Sequence, residues 1–193
     1  KKKFPNQLCE INMVMEWLAK NEGRYPLDLE HVFVVGDSAG AQLASHYCTI
    51  HTNPEFEALF PFKTPKRCKI RAAALNCGLY DVRAMGNQGV PSEEIKGIAK
   101  DYLGNLTFAD PRLMVLDAVT ENFPPAYVMT SEHDFLKDAA KPMYEHLKAR
   151  GVEAEYHYYS SCLLRLRTRM RKLQAQNWDQ TNEDETAYFH PVW

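Results

Sequence analysis

The chain lacks a long apolar run and a large excess of charge of either sign. No stretch approaches the ~18 to 20 apolar residues that a membrane span requires. A short basic cluster occupies residues 1–3, but the apolar stretch of a secretory leader does not follow it, so we predict a cytoplasmic protein. The net charge of −2 gives no reason to expect nucleic acid or an anionic membrane as a partner. The oligomeric state is left open.

Cysteine and histidine do not occur in metal-binding or disulfide patterns. The five cysteines are odd in number, widely spaced and never in a Cys-x-x-Cys arrangement: Cys9, Cys48, Cys68, Cys77 and Cys162. We interpret them as free thiols in a reducing compartment. The seven histidines are equally scattered and form no His-x-x-x-His pair. We therefore expect no metal site.

The sequence of 193 residues is predicted to form one domain in which segments with strand patterns alternate with segments with helix patterns. Apolar residues at three- and four-residue steps predict a helix over residues 6–21, and a second amphipathic helix over Lys137–Arg150 closed by Gly151. Short apolar runs predict four strands, at residues 31–35, 70–75, 126–130 and 153–159. Helical segments between the strands predict an α/β fold with a mostly parallel sheet and right-handed crossovers.

Two long segments connect the predicted strands. Residues 51–69 contain three prolines and are predicted to form a loop. Residues 78–116 are predicted to contain a lid- or cap-like insertion, with a helix from Ser92 to about Leu103 and a short helix from Asp110. In this insertion, Met85–Val90 either line an acyl or alcohol pocket or form a plain surface loop.

Residues 36–40 read Gly36-Asp37-Ser38-Ala39-Gly40 and match the Gly-x-Ser-x-Gly pattern, directly after an apolar strand and directly before a helix. A serine on such a turn is held above the sheet, and glycines flank it where side chains would clash. We name these five residues the elbow, with Ser38 as nucleophile and the Ala39 N–H as an oxyanion donor. The alternative is a glycine-rich turn with an incidental serine.

At these residues the chain resembles the hormone-sensitive-lipase-like family of α/β-hydrolases, many of them bacterial carboxylesterases. The resemblance runs from about Asn6 to Tyr159 and resumes near Asn182. It implies an α/β-hydrolase fold and hydrolysis of small esters by a Ser-Asp-His triad, without a cofactor. It also implies that Asp134, first aspartate of an Asp-x-Leu-x-Asp loop after the third strand, is the triad acid. The alternatives are a helix cap at Asp134, or an acid role for Glu132 or Asp138.

The triad base has no clear counterpart. The family places its histidine after the last strand, but residues 160–181 contain neither histidine nor glycine and are rich in arginine and leucine. We hypothesise that an altered reading frame or a local replacement produced this stretch, because residues 182–189 again resemble the family's last helix. The competing interpretation is a cationic helix over Arg165–Lys172 that binds an acidic partner. His190 is the only histidine beyond the last strand and a poor match; His133 and His157 are not assigned.

A second family feature is also absent. The His-Gly-Gly-Gly loop that supplies further oxyanion N–H groups precedes the elbow in the family, and nothing before Ser38 matches it. We therefore expect the chain to begin after that loop and after the early strands of the sheet. The leading function is a serine carboxylesterase or lipase-type hydrolase of small esters. The alternatives are a catalytically inactive fragment with a binding function or none, or an acyltransferase or peptidase on the same scaffold.

Overall fold

The computed structural model of the protein describes residues 2–81, 93–160 and 182–190. Within these ranges, the sheet has four parallel strands in sequence order: β1 (Val32–Asp37), β2 (Ile70–Asn76), β3 (Ala126–Ser131) and β4 (Ala154–Tyr159). Because all four strands run in the same direction, their last residues meet at one edge, which we call the carboxyl edge. The predicted α/β architecture with a parallel sheet is confirmed.

Helices connect and flank these strands. The described helices are α1 (Asn6–Asn21), α2 (Ala39–Thr52), α3 (Pro54–Glu57), α4 (Glu93–Leu103), α5 (Val115–Ala118), α6 (Lys137–Ala149) and α7 (residues 182–189), with a 3₁₀ turn at Pro111–Leu113. The predicted helices at residues 6–21 and 137–150 are confirmed, and the backbone of Gly151 has the left-handed φ of 78° expected at a helix end. None of the described helices is long and apolar enough to cross a bilayer.

The prediction that residues 51–69 form a loop is wrong at residues 51–52, which end α2, and at α3. The side-chain oxygen of Asn53 accepts hydrogen bonds from the N–H groups of Glu55 and Phe56, at 2.9 and 3.0 Å. Pro54 at the first helical position has no N–H to leave unpaired. An asparagine cap followed by a proline therefore starts a short helix inside a proline-rich stretch.

Both faces of the central strands β2 and β3 are covered, whereas Val35 of the edge strand β1 is 55% exposed. Alternate residues of β2 divide between the two faces. Ala73 and Leu75 pack in a buried cluster with residues of α2 and α6, including Cys48 and Leu147. On the other face, Ala72 and Ala74 of β2 and Tyr127 and Met129 of β3 form a buried cluster with Phe189 of α7. The alanines of β2 are fully buried, which lets the helices approach the sheet closely.

The described part of the predicted insertion is packed against the domain. Leu103, Leu113 and Val115 are buried in a cluster with Leu8 of α1 and Ile50 of α2. The insertion at residues 78–116 remains a prediction, and the candidate pocket loop Met85–Val90 and the helix cap Ser92 lie outside the described residues. The same is true of residues 161–181.

Candidate active site

Ser38 is the single residue between the end of β1 and the start of α2. Its backbone has φ 55° and ψ −116°, a strained conformation for a residue other than glycine. Its N–H donates to the carbonyl oxygen of Asn76 at the end of β2, at 2.8 Å, and its carbonyl accepts from the N–H of Gln42 at 3.2 Å. The strand–turn–helix order predicted for the elbow is therefore present, with the serine at the carboxyl edge.

The first glycine of the elbow sits where the chain approaches itself. A Cβ atom on Gly36 would lie 2.3 Å from the carbonyl oxygen of Gly40 and 2.7 Å from the backbone nitrogen of Ala41. Both neighbours are backbone atoms and cannot rotate away. Gly40 itself has open space around the corresponding position. The tight turn therefore requires glycine at residue 36 and tolerates a side chain at residue 40.

The helix that follows the turn begins at Ala39. N–H groups in the first turn of a helix have no acceptor within the helix, and the amino end carries partial positive charge. The Ala39 N–H therefore lies at the positive end of α2, directly after Ser38.

Asp134 lies at the same edge, three residues after the end of β3. Its Oδ1 accepts a hydrogen bond of 2.6 Å from the N–H of Leu136, just before α6. Burial, and then the charge of Asp134, raises the pKa of Asp37, the residue before Ser38. The structure therefore brings Asp134 and the elbow together, because only β2 separates β1 from β3.

Two residues that the sequence did not single out lie between them. Cys77 has a left-handed φ of 51°, and its Sγ lies 3.8 Å from the Sδ atom of Met129. Burial, followed by the charge of Asp134, raises the pKa of the Cys77 thiol to about 12. Asn76 is paired with Asp37 in the sheet, and its side chain reaches α7. The only local signal for either residue was its place at the end of a strand.

His190 follows α7, which runs antiparallel to the strands. Glu185 of α7 contacts Asn76 at the carboxyl edge, whereas Phe189 packs on Phe33 near the start of β1, with ring centroids 4.9 Å apart. Phe33 precedes Ser38 by five residues, a distance of roughly 16 Å along an extended strand. The structure therefore carries His190 toward the opposite edge of the sheet from Ser38.

Three other described histidines have partners away from the elbow. His46 Nδ1 lies 3.3 Å from the side-chain nitrogen of Gln42, and the ring packs among phenylalanines. His146 Nε2 lies 2.7 Å from the carbonyl oxygen of Leu116. His157 stacks on Tyr127, and its Nε2 lies 3.1 Å from Glu155. Among the described residues, no group of three His, Cys, Asp or Glu side chains could hold a metal ion.

The buried His46 makes a prediction about acid stability. Burial lowers its pKa from 6.5 to about 3. The His46 ring packs on Phe4, and Arg112 and Tyr102 contact the same Phe4 ring. The unfolded chain therefore takes up a proton first as pH falls, and stability decreases below pH 6.5. We expect the titration of His46 to lower the free energy of unfolding by about 2 kcal/mol between pH 6.5 and about pH 5.

Urea unfolding at several pH values measures this loss. His51, whose pKa burial lowers to about 4, acts in the same direction. The informative quantity is therefore the difference between the wild-type protein and His46→Leu, which should show a shallower decline below pH 6.5. Equal slopes for both proteins would contradict a neutral buried His46.

Comparison with known proteins agrees with this geometry. The family model described as alpha/beta hydrolase fold matches residues 1–163, so the chain belongs to that family. The match ends where the stretch rich in arginine and leucine begins. The chain is 26% identical over 172 residues to an acetyl esterase of Salmonella typhi, which covers 83% of this chain and 50% of that protein. It spans about half the length of the curated relatives that it matches.

Solved structures show the same fold. Esterase B from Lactobacillus rhamnosis superimposes with a TM-score of 0.71 at 18% identity, covering 95% of this chain and 64% of that one. A hyperthermophilic esterase from the archaeon Pyrobaculum calidifontis gives 0.66 at 22% identity, covering 82% and 51%. The predicted α/β-hydrolase fold, of the kind found in hormone-sensitive-lipase-like esterases, is thereby confirmed.

Proposed function

We propose that this chain carries the nucleophile and the acid of a serine carboxylesterase that cleaves small acyl or acetyl esters. The observation that carries the proposal is the strained backbone of Ser38 between β1 and α2, at the edge where Asp134 also lies. The acetyl esterases among the relatives support ester hydrolysis as the reaction class.

In the proposed reaction, Ser38 Oγ attacks the ester carbonyl while a base removes its proton. The tetrahedral oxyanion accepts a hydrogen bond from the Ala39 N–H. When the intermediate collapses, the base returns the proton to the departing alcohol and the acyl group stays on Ser38. Water then releases the acid by the same steps. Asp134 would accept the N–H of the imidazole base and stabilise it when it is protonated.

This scheme does not yet assign a residue to the role of the base. His190 was the only histidine beyond the last predicted strand, and α7 carries it toward the amino ends of the strands. This arrangement favours the second candidate function, an α/β-hydrolase domain that is catalytically inactive by itself and has either a binding function or none. Hydrolysis of p-nitrophenyl acetate by the purified chain, beside His190→Ala, distinguishes the two. Activity that is lost in His190→Ala would assign the base to His190.

Asp134 makes a separate prediction for an active sample. We expect Asp134→Asn to lower kcat for p-nitrophenyl acetate by about 1,000- to 10,000-fold, because the amide neither fixes the imidazole tautomer nor stabilises its charge. Asp138→Asn is the matched control, since Asp138 is exposed in the first turn of α6. A larger loss in Asp138→Asn than in Asp134→Asn would transfer the acid role to Asp138.

A further inference from the structure

Asn76 connects the elbow to the last helix. Its backbone carbonyl accepts the Ser38 N–H at 2.8 Å, and its side-chain Nδ2 donates to Glu185 Oε2 at 2.7 Å. The acceptor is the carboxylate of Glu185, and hydrogen bonds to carboxylates are stronger than neutral ones. Two hydrogen bonds through one residue therefore join α7 to Ser38, across 109 positions of sequence between Asn76 and Glu185.

The side-chain amide of Asn76 depends on this contact. Its other polar atom, Oδ1, is buried and has no hydrogen-bond partner among the described residues. Removing Glu185 would leave both ends of a half-buried amide without a protein partner, which is costly because Oδ1 is already shielded from water. The amide, and the strand end that carries it, would then shift to regain hydrogen bonds.

Glu185 itself is held in place by its helix. Phe189 is buried against Phe33 and the alanines of β2. The neighbouring carboxylate of Asp184 accepts a 2.6 Å hydrogen bond from the Tyr159 hydroxyl. Asp184 and Glu185 thus each accept a hydrogen bond from the last residue of a strand, and the partner of Glu185 is Asn76, whose carbonyl accepts the Ser38 N–H.

We propose that Glu185 is a positioning residue for Ser38, acting through the side chain and then the carbonyl of Asn76. The inference rests on the proposed role of Ser38 as nucleophile. A serine in a left-handed backbone conformation is strained and keeps that conformation only where its surroundings hold it. The hydrogen bond to the Asn76 carbonyl is one such restraint, and Glu185 fixes the residue that supplies it.

The first test compares Glu185→Ala with Asp184→Ala. Each variant removes a carboxylate of α7 that accepts a hydrogen bond from the last residue of a strand, Asn76 of β2 or Tyr159 of β4, so both should loosen the helix. We expect only Glu185→Ala to slow labelling of Ser38 by a fluorophosphonate probe, by about tenfold, and to accelerate hydrogen exchange at the Ser38 amide by a similar factor. NMR of the ¹⁵N-labelled chain measures the exchange. Equal effects of the two variants on Ser38 would reduce Glu185 to a structural clamp and overturn the proposal.

The second test reverses the hydrogen bond. Asn76→Asp places two carboxylates against each other and should accelerate exchange at Ser38. Combining it with Glu185→Gln restores a donor opposite an acceptor and should return exchange to near the wild-type rate. Failure of this rescue would also overturn the proposal. If wild-type Ser38 does not react with the probe at all, the proposed nucleophile role fails, while the exchange rates still decide whether Glu185 positions the elbow.

Discussion

Ser38→Ala is expected to reduce hydrolysis of p-nitrophenyl acetate to the background rate and to abolish covalent labelling by a fluorophosphonate. The removed Oγ is the atom that would carry the acyl group, and loss of a triad nucleophile typically costs about a millionfold in kcat. Alanine tolerates the left-handed backbone of residue 38 no worse than serine does, so the fold should survive the change. Loss of reactivity would then report chemistry and not unfolding.

The control is a serine at the same edge of the sheet. Ser131 ends β3, and its carbonyl accepts the Asp134 N–H at 3.1 Å, a backbone contact that Ser131→Ala preserves. Ser131→Ala should therefore retain labelling at Ser38. Labelling that persists in Ser38→Ala would place the reactive group elsewhere. Background hydrolysis by both the wild-type chain and Ser38→Ala, in a folded sample, would favour the inactive domain over the esterase.

Gly36→Ala should be among the most destabilising single substitutions in the elbow. Its new methyl group would meet the Gly40 carbonyl oxygen at 2.3 Å, so the turn must open or α2 must move. Overpacking against backbone that cannot rotate away is expected to cost about 3 kcal/mol of unfolding free energy, the upper end of the usual range. Fluorophosphonate labelling of Ser38 should be lost as well, since the turn that presents the serine is distorted.

Gly40→Ala is the matched comparison four residues away. The added methyl group has no atom within 4 Å, and the residue lies in the first turn of α2. Alanine loses less conformational freedom than glycine in a helix, so this variant should be about 0.5–1 kcal/mol more stable than wild type. Urea unfolding of both variants measures the difference. Similar stabilities would contradict the close approach of residues 36 and 40.

The local features of this protein could be predicted from the sequence. The helix at residues 6–21 coincides with α1 because apolar spacing determines which face of a helix is buried. The short apolar run before Gly36 indicated a strand, which is β1, and the glycine spacing indicated the turn at Ser38. Even α3 has a local cause, the cap at Asn53, which the three prolines of the loop obscured.

The arrangement of the candidate site was decided by tertiary structure. Strand order brings Asp134 near Asp37, and the packing of Phe189 on Phe33 orients α7, which carries Glu185 to Asn76 and His190 away from Ser38. These contacts join residues far apart in sequence, and no local pattern encodes which partner each will meet. Periodicity and turn chemistry act over a few neighbouring residues, whereas the relative positions of nucleophile, acid and last helix depend on how the faces of the sheet are covered.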